Sequence, residues 1–287
     1  MGFSDNFLAI DWGTTNRRVF VIDGGDVVES ARDDRGVTAV SDFPAEAAAI
    51  RARFGDLPML MAGMVGSTIG WRAAPYVEAP AGISDLAAGL LRIDARTAIV
   101  PGVCVRGPAD VMRGEEVQLL GAVAAGMAPA DALLAQPGTH CKWAEMAGSR
   151  IVRFTTAMTG ELFALLRGHS LLAPQLAAGV VLGDAFRQGL AEGARCDLVA
   201  SLFGIRAAKL LGERDDADAA SFASGLLIGA DVAARLADDR HDAVHVLADP
   251  VLGGLYAAAI HANGRAAHIV DSHTAFVAGI IAIGNQT

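Results

Sequence analysis

The 287-residue sequence has three cysteines, few aromatic residues and no excess of positive charge. Cys104, Cys141 and Cys196 are odd in number and lack metal-type spacing, which predicts a reduced, cytoplasmic protein without a disulfide framework. Against 23 lysines and arginines stand 32 acids, and the net charge of −9 argues against a nucleic-acid partner. Because no run approaches the roughly 20 apolar residues that cross a bilayer, we predict no membrane contact.

Small apolar residues are abundant instead. Hydrophobic residues make up 53% of the chain, which is enough for the core of one large or two medium-sized domains. The first part predicts a meander of three short strands, a helix capped by Ser41 or Asp42, and a strand leading into a glycine- and proline-rich loop. These segments are residues 7–10, 17–22, 27–30, 44–54, 57–62 and 63–82.

The same pattern restarts near residue 126, after a strand at 97–100 and a helix at 115–125. Strands at 132–136, 142–146 and 150–154 form a second predicted meander. Helices at 160–168, 183–192, 198–211 and 217–237, a strand at 243–248, a helix at 252–262, a strand at 267–270 and a helix at 274–283 complete the pattern. We therefore predict an α/β protein of two lobes, residues 1–128 and 129–287, each opening with strand–turn–strand.

The turn of the first meander combines an acid, a glycine and several donors. Its residues are Asp11, Gly13, Thr14, Thr15 and Asn16, followed by Arg17 and Arg18. Glycine lets the backbone approach a ligand closely, and the hydroxyl and amide groups add donors, so the turn suits a phosphate. A carboxylate cannot bind phosphate directly, but it can hold Mg²⁺ through water. Asp11 is the predicted metal residue.

The turn of the second meander, Gly138-Thr139-His140, offers similar chemistry. Two such turns facing one cleft would hold a polyphosphate from both sides. The alternative is that both are ordinary hairpin turns, because Gly, Thr, Asn and Asp are common in turns.

Several stretches resemble one family of kinases. "AIDWGTTN" and "PGTH" are similar to the two phosphate loops of the sugar kinase/heat-shock-70/actin superfamily. "GMVGSTIGW", "RGEEVQLLGA", "PGTHCKW", "FTTAMTGEL" and "SGLLIGAD", spread over most of the chain, resemble the 2-dehydro-3-deoxygalactonokinase family. The resemblance implies two ribonuclease-H-like lobes with an interlobe ATP cleft. It also implies Mg²⁺-dependent phosphorylation of the 6-hydroxyl of 2-dehydro-3-deoxy-D-galactonate, in the DeLey–Doudoroff route of galactose breakdown.

Catalytic roles follow from this resemblance. Glu115 lies where glycerol-kinase-like relatives carry an aspartate after glycine, so it is the predicted base, with Glu116 as substitute. Arg18 lies where these relatives have an arginine that reaches the transferred phosphate, and Arg17 is its fallback. The alternative for both glutamates is a favourable interaction with the helix dipole, worth roughly 0.3–1 kcal/mol.

A sugar acid needs a cation for its carboxylate, hydroxyl partners and a flat apolar wall. The candidates are Ser67, Trp71, Arg72, Tyr76 and Arg113. Arg72 and Arg113 are alternatives for the carboxylate, and Trp71 is either a wall of the site or an anchor of its loop. For adenosine in the second lobe we expect Gly225 and Gly229. Asp249 and Pro250 replace the glycine turn that is usual in the family.

Two other functions remain open from the sequence. One is a kinase of the same fold that acts on another sugar or sugar acid, and the other is a non-catalytic regulator that binds nucleotide or sugar. The predicted partners are ATP and a small-molecule sugar acid. The sequence does not determine the oligomeric state, and it is compatible with a homo-oligomer.

Overall fold

The computed structural model describes Phe3, residues 5–195 and residues 197–287. Cys196, expected to be a reduced thiol, lies outside these residues. The chain divides into two compact units. The first comprises Met1–Asp131, Ala144–Phe154 and Asp271–Thr287, and the second comprises Ala132–Trp143 and Thr155–Val270.

Along the chain, runs of strands are followed by one or more helices. Up to residue 124 they are β1 (Asn6–Trp12), β2 (Arg17–Asp23), β3 (Asp26–Asp33), α1 (Phe43–Phe54), β4 (Met59–Gly63), β5 (Tyr76–Glu78), α2 (Ile83–Ala88), β6 (Leu91–Asp94), β7 (Thr97–Ile99), β8 (Gly102–Val105), β9 (Asp110–Met112) and α3 (Glu115–Ala124). They continue with β10 (Ala132–Gln136), β11 (Cys141–Ala147), β12 (Arg150–Ala157), α4 (Thr159–His169), α5 (Asp184–Gly193), α6 (Leu198–Leu210), α7 (Asp216–Leu236), β13 (Ala243–Leu247), α8 (Pro250–Ala262), β14 (Ala266–Val270) and α9 (Ser272–Gly284).

The first unit is built on a mixed sheet in the order β3-β2-β1-β4-β7-β6. β1 pairs antiparallel with β2 and parallel with β4, which places the first turn at the carboxyl end of β1. All five residues of β4 are buried, as expected for a strand covered on both faces. The buried core on this sheet includes Ile10 and Trp12 of β1 and Met59 and Met61 of β4.

A second sheet has the order β12-β11-β10-β13-β14. Its parallel strands β10 and β13 are central, and β10 is buried at every position. The two meanders predicted from the sequence are therefore confirmed, each at one side of a sheet that continues with parallel strands. The core of the second unit includes Trp143, Phe186, Val246 and Tyr256.

Side-chain caps explain where several helices begin. Of the two caps that the sequence predicts for α1, Ser41 or Asp42, it is Asp42 that accepts a hydrogen bond from the Ala45 N–H. Asp249 accepts bonds from the first N–H groups of α8, with Pro250 in the first helical turn. The Asp249-Pro250 pair, which departs from the glycine turn of the family, is thus a helix start.

Within the described residues, one helix is long and apolar enough to cross a membrane by length and composition. This helix is α7, and 72% of its apolar window is buried inside the protein. Its apolar side chains are therefore accounted for by core packing against neighbouring helices.

Candidate active site

The first phosphate turn is held rigidly by backbone hydrogen bonds. The Gly13 N–H donates to the Asn16 carbonyl at 2.9 Å, and the Gly13 carbonyl accepts from the Val37 N–H at 3.0 Å. The side chains of Thr14, Thr15 and Asn16 are exposed. The turn therefore presents its polar side chains to solvent on a fixed backbone, as an anion-binding loop requires.

Arg17 and Arg18 point to opposite faces of β2. Arg17 is only 5% exposed and pairs with Asp33 at 2.6 Å and Glu46 at 2.8 Å. Arg18 is more accessible, and its Nη1 lies 3.3 Å from the Asp11 Oδ2. Because Arg17 is buried and ion-paired with two acids, the structure favours Arg18 over Arg17 as the arginine that contacts phosphate.

Asp11 lies near the carboxyl end of β1, opposite Arg18 in the strand register. Burial raises the pKa of Asp11, and the nearby Arg18 guanidinium opposes this rise. A largely desolvated carboxylate gains from a cation. Among the described residues, no three or more His, Cys, Asp or Glu side chains are grouped so that they could hold a metal ion. A magnesium role for Asp11 therefore stays a prediction.

The two glutamates at the start of α3 have different environments. Glu115 is half-buried, and its Oε2 accepts from the Arg113 N–H at 3.0 Å. Glu116 is fully buried, and its carboxylate oxygens accept from the Gly114 N–H at 2.7 and 2.8 Å. Burial, assisted by the neighbouring Glu115, raises the pKa of Glu116 to about 8. The Glu116 carboxyl is therefore shielded from solvent and engaged by the backbone, which favours Glu115 as the base; the role of Glu116 as substitute stays a prediction.

Two of the predicted substrate residues stabilise their own loop. The Ser67 hydroxyl donates to the Met64 carbonyl at 2.7 Å and accepts from the Ile69 N–H. Trp71 stacks on Phe43 with ring centroids 6.3 Å apart, and it packs against the buried core of the first unit. Of the two alternatives for Trp71, the structure favours the loop anchor.

The two candidate arginines for the carboxylate also differ. Arg72 is exposed. The Arg113 guanidinium lies 4.4 Å from the centre of the Tyr76 ring, and its Nη2 donates to the Ala74 carbonyl. Arg113 Nε and Nη1 are buried with no hydrogen-bond partner in the described part of the chain. Buried N–H donors without partners are costly. A bound carboxylate would satisfy those of Arg113, so Arg113 is the better candidate of the two for binding it.

The second phosphate turn is attached to the start of α4. The Thr139 carbonyl accepts from the Glu161 N–H at 2.8 Å, and His140 Nε2 lies 2.5 Å from Glu161 Oε2. A Cβ added to Gly160 would lie 2.2 Å from the Gly138 carbonyl oxygen, so glycine is required there for close approach.

Beside this turn lies a cavity of about 90 Å³, lined by Gly138, Thr159, Gly160, Phe163, Ser224, Leu227, Ile228, Leu252 and Tyr256. A larger cavity of about 260 Å³ shares Thr159 and Leu227 with it and also includes Asp231 and Arg235. Sequence reasoning missed Thr159, Asp231 and Tyr256. The signal was available, since Thr159 and Asp231 lie within "FTTAMTGEL" and "SGLLIGAD", where they interrupt apolar segments.

Gly225 and Gly229, predicted as adenosine contacts, lie at a contact between two helices. A Cβ at Gly225 would lie 2.1 Å from the Phe186 carbonyl oxygen, and one at Gly229 would lie 2.6 Å from that of Leu190. Both glycines therefore allow α7 to approach α5 closely. The residues of α7 that line the cavity beside the second turn are Ser224, Leu227 and Ile228.

Comparisons with known proteins identify the family of the chain. A sequence profile described as 2-keto-3-deoxy-galactonokinase matches residues 11–283. The 2-dehydro-3-deoxygalactonokinase of Escherichia coli (strain K12) is 39% identical over 97% of both chains. A solved candidate 2-dehydro-3-deoxygalactonokinase from Sinorhizobium meliloti is 34% identical and superposes with a TM-score of 0.91, covering 96% of this chain and 97% of that one.

The fold extends to more distant proteins. Component A of the (R)-2-hydroxyglutaryl-CoA dehydratase of Acidaminococcus fermentans is 11% identical, with a TM-score of 0.54 over 97% of both chains. This likeness confirms the predicted fold class, that of the actin-like ATPases and sugar kinases. With a profile match over most of its length and a relative above 30% identity at nearly full coverage, the chain belongs to the 2-keto-3-deoxy-galactonokinase family.

Proposed function

We propose that this protein transfers the γ-phosphoryl group of ATP to the 6-hydroxyl of 2-dehydro-3-deoxy-D-galactonate, in galactonate breakdown. Family membership over nearly the whole chain supports the reaction class. The observation that carries the proposal is the position of Glu115, a half-buried carboxylate at the first residue of α3, hydrogen-bonded to the backbone of Arg113. A base and a substrate-binding cation are thereby offered by one short segment.

Glu115 takes the proton of the attacking hydroxyl. The new bond joins O6 of the sugar acid to the γ-phosphorus, and the bond from that phosphorus to the bridging oxygen of ADP breaks. The hydroxyl proton moves to the Glu115 carboxylate. In such transfers catalysis depends mainly on positioning and charge neutralisation, since the transition state is loose.

Neutralisation is assigned to the first turn. Arg18 offers its guanidinium to the transferred phosphoryl group, while Gly13, Thr14, Thr15 and Asn16 supply backbone and side-chain donors. Asp11 would hold Mg²⁺ through water; when bound, the ion neutralises phosphate charge. Gly138 and Thr139, in the second unit, are assigned to phosphate as well.

For the carboxylate of the sugar acid we assign Arg113 rather than Arg72. Its buried Nε and Nη1 lack partners among the described residues, and the exposed Tyr76 ring covers the guanidinium. Displacement of that ring by the substrate would give these donors an anionic acceptor. Arg72, Ser67 and Trp71 then shape the loop around the sugar acid.

The nucleoside is assigned to the second unit. The cavity beside Gly138 continues from the phosphate turn into an apolar region bounded by Leu227 and Leu252. On α7 we replace Gly225 and Gly229 by Ser224 and Leu227 as nucleoside contacts. The acidic net charge and the scarcity of cysteine support a cytoplasmic enzyme that has no nucleic-acid or membrane partner.

The test is a steady-state assay of ADP release with a panel of six-carbon acids and neutral sugars, with phosphate position read by NMR. We expect 2-dehydro-3-deoxy-D-galactonate to give the highest kcat/KM and a phosphate ester at C6. A higher kcat/KM with another acid or a neutral sugar would support the alternative kinase. Binding of nucleotide without turnover of any substrate would support the regulator.

The choice of arginine has its own test. We expect Arg113→Met to raise KM for the sugar acid by about 100-fold, because a charge-assisted contact is lost, with KM for ATP within a few-fold of the wild type. Arg72→Met is the matched control and should change both values little. A large KM effect in Arg72→Met with none in Arg113→Met would reverse the assignment.

A further inference from the structure

A buried polar network lies beneath the second phosphate turn. The carboxylate of Asp231, only 8% exposed, accepts a hydrogen bond from the Thr159 hydroxyl at 2.9 Å and one from the Tyr256 hydroxyl at 3.3 Å. Thr159 is the first residue of α4, Asp231 lies on α7 and Tyr256 lies on α8. One carboxylate therefore joins the start of α4 to two core helices.

The next two residues of α4 hold the turn. Gly160 lies against the Gly138 carbonyl so closely that no side chain fits between them. The Glu161 N–H donates to the Thr139 carbonyl, and the Glu161 carboxylate contacts His140. A displacement of the start of α4 would therefore displace all three residues of the turn.

Stability alone does not account for a carboxylate at this position. Burying a charged or polar group costs free energy, and well-packed apolar replacements of buried charged groups are often neutral or stabilising. What the carboxylate provides, and an apolar residue does not, is a directional acceptor that fixes the Thr159 hydroxyl and with it the first turn of α4.

We propose that Asp231 is a positioning residue for nucleotide binding: by fixing Thr159 it holds α4 in the place where Gly160 and Glu161 keep the Gly138–His140 turn shaped for phosphate. The inference rests on the proposed function in that it takes this turn to bind the phosphates of ATP. Asp231 acts through the turn and does not itself touch the nucleotide.

The experiment compares Asp231→Ala, Asp231→Asn and Thr159→Val with the full-length wild-type chain. We expect Asp231→Ala and Thr159→Val each to raise KM for ATP about tenfold or more, with KM for the sugar acid nearly unchanged. Asp231→Asn should stay near the wild-type value, because its amide oxygen accepts the same two hydrogen bonds. The double variant Asp231→Ala/Thr159→Val should have a KM for ATP no higher than that of either single variant, since both substitutions remove the same Thr159–Asp231 hydrogen bond.

Ser221→Ala is the matched control. Ser221 is buried on the same helix, and its hydroxyl accepts from the Val181 N–H at 3.0 Å, away from the turn. This variant should leave KM for ATP unchanged. The proposal is overturned if folded Asp231→Ala and Thr159→Val bind ATP normally, or if they raise the KM values of both substrates equally.

Calorimetric titration with ADP separates this inference from the assigned reaction. If the wild type binds ADP but phosphorylates no sugar acid, the proposed function fails, while a loss of ADP affinity of about tenfold or more in Asp231→Ala still supports the network. Equal ADP affinity in Asp231→Ala and in the wild type would contradict the positioning role of Asp231.

Discussion

At the scale of single residues, neighbouring side chains of the same type have different roles. Glu115 and Glu116 are consecutive, yet one is accessible and the other fully buried, with its carboxylate turned back to the Gly114 N–H. Arg17 and Arg18 likewise divide between a buried ion-pair cluster and the face of Asp11. From the sequence all four are candidate site residues, but only the backbone path determines which member of each pair is buried and which is accessible.

Glu115→Gln should lower kcat by about 10²–10⁴-fold, because general-base assistance is lost, while KM for both substrates changes only a few-fold. Glu116→Gln is the matched control. Its amide oxygen can still accept from the Gly114 N–H, so kcat should stay within about tenfold of the wild type. A steady-state assay of the two variants checks this, and near-normal turnover in Glu115→Gln would exclude it as the base.

Glu116 also predicts a pH dependence of stability. Its pKa rises from an ordinary 4.5 to about 8 in the folded chain. Between these values the folded chain keeps a proton that the unfolded chain has released, so the free energy of unfolding falls as pH rises, and it levels off above pH 8. Glu116→Gln cannot ionise and should lack this fall.

Urea unfolding of both proteins at pH 5, 6.5 and 8 measures the effect. The difference in unfolding free energy, Glu116→Gln minus wild type, should increase with pH over this range. The exposed Glu29→Gln variant should follow the wild-type curve. Parallel curves for the wild type and Glu116→Gln would contradict the assignment of a protonated, buried carboxyl.

At the scale of elements, length decided what the sequence could predict. The meanders, the long helices and the start of α1 were predicted within a few residues, because their hydrophobic periods extend over several turns or strands. The three- and four-residue strands β5, β6, β8 and β9 carry no such period. Helix packing was missed as well, because the sequence alone does not distinguish a glycine that lets a neighbouring backbone approach from one that lets a phosphate approach.

The contact between α5 and α7 gives a prediction at this scale. Gly225→Ala should lower the free energy of unfolding by about 1–3 kcal/mol, because its Cβ would meet the Phe186 carbonyl, with KM for ATP little changed. Gly204→Ala, in α6, is the matched control. Nothing lies within 4 Å of its added Cβ, so it should stabilise by about 0.5–1 kcal/mol. Chemical denaturation measures both.

A Gly225→Ala variant that keeps its stability but loses ATP binding would contradict the packing role. It would restore the interpretation of that glycine as a nucleotide contact.

At the scale of the whole molecule, the charge opposes the proposed ligands. The chain carries a net charge of −9, whereas ATP and a sugar acid are both anions. Local donors must therefore overcome a repulsive overall field. The exposed turn, Arg18 and Arg113 are the groups that the structure offers for this purpose.

This repulsion predicts that ATP associates faster as the salt concentration rises. Raising KCl from about 10 to 150 mM shortens the Debye length from about 30 to 8 Å, which screens the overall repulsion more than contacts at the site. The association rate constant of ATP, measured by stopped-flow fluorescence at fixed Mg²⁺, should rise. A steep fall would mean that the local positive groups dominate the approach.

Gly63 links three parts of the first unit. It has φ +92°, and an added Cβ would lie 2.9 Å from the Trp12 carbonyl; Gly114, at φ +108°, would in turn place its Cβ 3.1 Å from the Gly63 Cα. The turn after β1, the glycine- and proline-rich loop that follows β4, and helix α3, which carries the proposed base, all depart from this one crossing. New acceptor specificities should therefore arise at the outer tip of the loop after β4, where residues can vary independently, while this crossing resists stepwise evolutionary change.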